Sequence, residues 1–146
     1  MLSSNELTFS DGQAVSSSGA STNVVDLGAT GTVLGAPAAL VRDIGKGQRI
    51  DILVQLDEDA GGTSPTLDVA LQVDSVENFA TPKTVAVAPQ IAGGSAGDRV
   101  ALYWIPEGTD ERYLRLNYTL GGTSPEYTIT AMVVAADQTN DTVPGA

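Results

Sequence analysis

The string Gly-Gly-Thr-Ser-Pro occurs twice in this chain, at 61–65 and 121–125, and each copy lies between two stretches of alternating apolar and polar residues. RIDILVQL and TLDVALQV flank the first copy; RYLRLNYTL and EYTITAMVV flank the second. Successive side chains of a strand point to opposite faces, so a period of two marks a strand with one face buried and one wet. Ile50, Ile52, Val54 and Leu56 share one face before the first copy, and Leu67, Val69, Leu71 and Val73 share one after it. Around the second copy the rows are Leu114, Leu116, Tyr118 and Leu120, then Tyr127, Ile129, Ala131 and Val133. The economical reading is two hairpins, each turned by the repeated string. The glycines supply positive φ, and the proline opens the return strand where a missing N–H does no harm.

The remaining text adds short strands and loops. ELTFS places Leu7 and Phe9 on one short strand, VVDLG reads as another, and residues 83–88 and RVALYWIP as two more. VENFA makes one helical turn at most. With turn signals every 8–12 residues and no sustained helical period, the expectation is an all-β fold: a single-domain jelly-roll-type β-sandwich of about eight short antiparallel strands. That domain spans 1–146, with polar tails at about 1–6 and 137–146. The loop at 29–40, ATGTVLGAPAAL, is apolar enough that it is expected to pack down on the sandwich.

The charge balance narrows function. Eighteen acidic and seven basic residues give a net charge of −11. Nucleic-acid binding rests on Lys and Arg neutralising phosphates, and the seven cations here are scattered, so direct contact with nucleic acid is not expected. The chain has no cysteine, which removes disulfides and thiolate chemistry. No secretory leader and no membrane span are visible, so the chain is expected to mature in a cytoplasm.

Catalytic equipment is sparse. With no histidine, the commonest general base and metal ligand is missing. Carboxylates cluster at Asp57, Glu58 and Asp59 and again at Asp110 and Glu111, but both groups fall in turns, where solvated charge is ordinary. The first group lacks the spacing of a calcium loop. The expectation is a non-enzyme without cofactor or metal, whose melting temperature does not respond to chelators.

RVALYWIP breaks the alternation, since both of its faces are apolar: Val100, Leu102 and Trp104 on one, Ala101, Tyr103 and Ile105 on the other. Met132 and Val134 are likewise out of phase with the core row. Either the 29–40 loop covers this second face or another subunit does. Tyr103, Ile105, Met132 and Val134 are therefore candidate subunit-interface residues of a homo-oligomer, dimer or trimer.

With the pattern complete, the chain resembles the Bbp16-like family of phage capsid cement (decoration) proteins. The resemblance is carried by STNVVDLG at 21–28, RDIGKGQRIDILVQL at 42–56, LDVALQV at 67–73 and RYLRLNYTLGGTSPEYTITAMVV at 112–134, in that order. It implies a jelly-roll protein, made in the host bacterial cytoplasm, that binds the outer surface of a tailed-phage head and locks neighbouring major capsid proteins together. It carries no catalytic residues. The alternative is a β-sandwich carbohydrate-binding or adhesin-type module of a phage tail, which would display exposed aromatics around a groove.

Overall fold

The computed structural model describes residues 4–102 and 104–135. A single 3-10 turn, Asn5–Leu7, leads into β1 (Thr8–Val15), followed by the short strands β2 (Gly19–Ala20) and β3 (Val25–Asp26). Next come β4 (Asp51–Leu56), β5 (Gly61–Asp74), β6 (Lys83–Val87), β7 (Ile91–Ala92) and β8 (Tyr113–Val134). Every pairing among these strands is antiparallel, and the fold is the expected all-β sandwich. Of the N-terminal tail expected at about 1–6, residues 1–3 lie outside the described residues. Asn5 and Glu6 belong to the 3-10 turn, which is held by the Leu7 N–H and the Thr8 hydroxyl, each donating to the Ser4 carbonyl at 3.0 Å. The tail expected at 137–146 lies outside the described residues.

The lengths of the strands correct the hairpin reading. β5 runs for 14 residues and β8 for 22, and both repeated strings lie inside them rather than between strands. β4 pairs with the second half of β8, from Asp51 opposite Val134 to Leu56 opposite Ile129. β5 pairs with the first half, ending with Asp74 opposite Tyr113. Residues 51–74 and 113–134 thus form one long antiparallel ribbon, and the two strings meet at its middle, Thr63 facing Thr123.

At that meeting point the register slips on either side of Thr63. Gly62 and Ser64 hold φ of 96° and 49°; Gly122 and Ser124 hold 98° and 50°. Bulges of this kind bend a strand sharply and let it pass from one sheet to another. Beyond the bend, one half of β8 joins β1 and β4, and the other half joins β2, β3 and β5, with β6 and β7 outside β5. The string occurs twice because both strands of the ribbon turn the same corner, each against the other.

Folding the ribbon over brings its two apolar rows face to face. Leu67, Val69, Leu71, Val73, Leu114, Leu116 and Tyr118 are fully buried from one sheet. Phe9, Leu56, Ile129 and Ala131 meet them from the other, in a single core. Residues 97–102 and 104–105 run along the outer edge of β4, where Val100 N–H donates to Val54 O at 2.9 Å and Ile105 N–H to Ile50 O at 3.0 Å. This segment does not alternate. The Leu102 N–H turns back to the Val100 carbonyl at 2.8 Å, and this tight turn shifts the phase: Val100, Leu102 and Ile105 go inward while Trp104 goes out.

One polar network crosses the core. Ser10 Oγ donates to Gln13 Oε1 at 2.7 Å, so its lone proton is committed and the Tyr118 hydroxyl, 2.8 Å away, donates to it. The Gln13 amide in turn takes the Thr22 N–H and donates to the Ala20 carbonyl, tying β1 to β2. Burial pushes the Tyr118 phenol up to about 12, against a smaller opposing effect of Ser10. An unfolded tyrosine ionises near 10, so between about pH 10 and about pH 12 the unfolded chain loses this proton first, and stability falls as pH rises. The loss amounts to about 2–3 kcal/mol across that window. Tyr118→Phe is expected to remove that part of the alkaline decline in urea midpoints; an unchanged alkaline profile would refute the assignment.

Candidate functional site

Because β8 is bent at its middle, its two ends return to the same end of the sandwich, opposite the corner. There the sheets part around a groove of about 530 Å³. Its walls are apolar: Val25 and Leu114 from one sheet, Ile50 and Val133 from the other, with Leu7 and Ile105 closing the sides. Arg49 is the charged residue in the lining. It is held at the rim by an ion pair with Asp51 and lies 4.8 Å over the ring of half-exposed Trp104.

The loop between β3 and β4 starts and ends on this rim, since Leu27 and Ile44 both line the groove. Between them the chain forms an arm. Leu40 N–H closes it onto Gly31 O at 2.9 Å, and an inner turn joins Ala36 N–H to Val33 O at 2.9 Å. The expectation that this loop packs down is corrected: Leu34 is 102% exposed and Val41 95%, with Val33 and Leu40 more than half exposed. Residues 29–41 contain no charge at all in a chain of net charge −11.

A collar of charged side chains holds the arm's base. Arg42 Nη2 donates to the carbonyls of Gly28 at 2.6 Å and Leu27 at 3.4 Å. The Asp43 carboxylate accepts the N–H groups of Gly45 and Gly108, and Ile44 N–H reaches Thr109 O at 3.1 Å. Arg112 grips Asp26 through two bonds of 2.7 and 2.8 Å. That guanidinium, helped by the Gly28 N–H, lowers the Asp26 carboxyl to about 2, so the clasp persists down to strongly acidic pH. Lys83 reaches across to Asp110 at 3.0 Å. The arm leaves the body in a fixed direction because its base is held from both sides.

The expected interface residues fare differently from one another. Ile105 and Val134 are only 2% and 6% exposed and line the groove, so they face the sandwich's own interior instead of water. The tight turn at 100–102 rotated Ile105 inward, and the end of β8 brings Val134 to the groove. Met132 is half-buried, opposite Thr8 and Leu53. Tyr103 lies outside the described residues. The carboxylates of the 57–59 turn each serve the fold: Asp57 accepts from the Thr130 hydroxyl at 2.6 Å, Glu58 from Thr128 at 3.0 Å and Asp59 from the Ala96 N–H at 2.9 Å. Among the described residues no three acidic side chains gather into a metal-binding group. The uncharged run that holds the arm spans 27–41, but runs at 12–25 and 84–97 are nearly as long, so lack of charge does not single the arm out in the sequence.

The family model of Bbp16 matches residues 9–136. The chain belongs to the Bbp16 family. In this Bbp16-family chain the match starts at Phe9, the first core side chain of β1, and runs past the end of β8, so it takes in the whole folded ribbon, the arm and all of the groove lining except Ser4 and Leu7. No curated protein matches the chain. Among the described residues no helix is long and apolar enough to cross a membrane.

Proposed function

We propose that this chain is a structural virion protein: a cement, or decoration, protein that binds the outside of a tailed-phage head and stabilises the contacts between major capsid proteins. Membership of the Bbp16 family supports the phage structural role. The observation that carries the cementing role is the held, uncharged arm, which offers apolar side chains to a partner on a rigid β-sandwich. A mature head is a closed shell under pressure from packaged, self-repelling DNA, and slip between its subunits is resisted only by their mutual contacts. A clamp spanning several subunits adds contacts that must break together, and each attachment raises the effective concentration of the next. Such work needs stiffness and surface but no chemistry, and a chain without histidine or cysteine suits it. The acidic surface keeps the free protein in solution before it docks.

The test is deletion of the gene. Heads are expected to assemble but to burst at lower temperature, and purified protein added back is expected to restore them. Heads equally robust without the protein, or a protein recovered only with tails, would overturn this reading in favour of the tail adhesin.

A further inference from the structure

We infer that the molecule stands on the capsid shell with its arm end down and its acidic corner in solvent, and that the stack of Trp104 and Arg49 makes a second contact beside the arm. The orientation rests on the cement reading, and adds to it which end meets the shell and through which side chains.

Charge is unevenly placed along the ribbon. Residues 56–71 and 116–131, which flank the corner, carry Asp57, Glu58, Asp59, Asp68 and Glu126 and no cation. Asp57 and Glu58 accept from threonine hydroxyls, Asp59 from the Ala96 N–H and Asp68 from the Gln90 amide. Pressing this corner against a partner would strip water from negative charge that no cation of the stretch offsets. At the arm's end the charges meet in pairs: Arg49 with Asp51, Arg112 with Asp26 and Lys83 with Asp110. Exposed apolar side chains gather there too, Val33, Leu34, Leu40 and Val41 on the arm and Trp104 at the groove rim. Surface of this kind on a water-borne protein marks a contact site, and interface cores are depleted in carboxylates.

Trp104 is the chain's sole tryptophan and is 48% exposed. A closed cycle of contacts holds it. Its backbone bridges to Asp51, the Asp51 carboxylate pairs with Arg49, and the Arg49 guanidinium lies over the indole ring. The cycle is rooted in the body, because the Asp51 side chain is only 13% exposed. A tryptophan ordered before binding loses little freedom on docking, and tryptophan and arginine are foremost among the residues that carry binding energy. Leu27, Ile44 and Arg49 all line the groove, so arm and stack start from one rim, and a surface laid across that end meets both. The shell surface that fits offers apolar recesses to Leu34 and to the indole ring.

The test compares free protein with protein bound to heads that were purified without it. Hydroxyl-radical oxidation of Trp104 and Leu34 is expected to fall severalfold on binding, while carbodiimide labelling of the exposed Glu58, Asp59 and Glu126 stays unchanged. Trp104→Ala should raise the dissociation constant for heads about thirtyfold, and Glu58→Lys combined with Glu126→Lys should leave it unaltered. The labelling needs no variant, so it decides the orientation even where replacing Trp104 disturbs the fold.

Protected corner carboxylates, or a Trp104 as open on heads as in free protein, would overturn the orientation and leave the cement reading standing. A folded Trp104→Ala variant that binds like wild type would remove the second contact. Protein that binds no heads would overturn the cement reading and this inference with it. Protection of Trp104 that grows with concentration in the free protein would give this end to a second copy instead.

Discussion

Gly122→Ala is expected to lower the melting temperature by on the order of 10 °C, through about 3–5 kcal/mol of lost stability. Two costs combine at this residue. Its φ of 98° is one that side chains rarely adopt, and a β-carbon there would also lie 2.8 Å from the Thr63 carbonyl oxygen of the facing strand. Backbone cannot give way there without moving the corner. Gly62 stands in the mirror position, with φ 96° and the Thr123 oxygen at 2.7 Å, so Gly62→Ala should behave alike. The double variant should cost less than the sum, since both substitutions open the same corner. Gly12→Ala separates the two costs: its φ is 57° but nothing lies within 4 Å of the added carbon, and about 1–2 kcal/mol is expected. Equal melting shifts for Gly12→Ala and Gly122→Ala would show that the reciprocal contact at the corner is not what makes glycine necessary.

Leu71→Ala and Leu116→Ala are each expected to cost about 2–5 kcal/mol, enough to remove much of the 5–15 kcal/mol that holds a typical domain. The two leucines face each other across the ribbon and are both fully buried where the sheets meet. Each truncation leaves a void that the folded-over ribbon has no slack to fill. Their effects should not add, because the second truncation enlarges a cavity already opened; a coupling of about 0.5–3 kcal/mol is expected from a double-mutant cycle in urea. Val87→Ala on β6, 65% exposed, serves as the reference and should stay within about 0.5 kcal/mol. Additive losses at positions 71 and 116 would count against their facing one another in a single core.

The strands and their buried faces were legible in the sequence because both depend on local rules. An alternating row such as Leu67, Val69, Leu71 and Val73 buries one face whatever lies opposite, and all four side chains are fully buried. Tyr118 and Tyr127 were recognisable as core for the same reason. The absence of histidine and cysteine, and the balance of charge, are likewise properties of the chain before it folds.

What the repeated strings do was decided only by the tertiary structure. Gly-Gly-Thr-Ser-Pro with glycine at positive φ suits a hairpin turn and a strand bulge equally well, and nothing within either copy distinguishes them. The choice depends on a partner sixty residues away: the two copies face each other, so each bends the ribbon instead of reversing it. The inward turn of Ile105 likewise required the hydrogen bond between Leu102 and Val100. The 29–41 loop is exposed because a collar assembled from Asp26, Arg42, Asp43 and Arg112 holds its base outward. Alternation reports which residues seek a core, since burial acts on each side chain separately. Where the chain bends, and which apolar residues stay in water, follows from contacts between distant segments, and those exist only once the fold has formed.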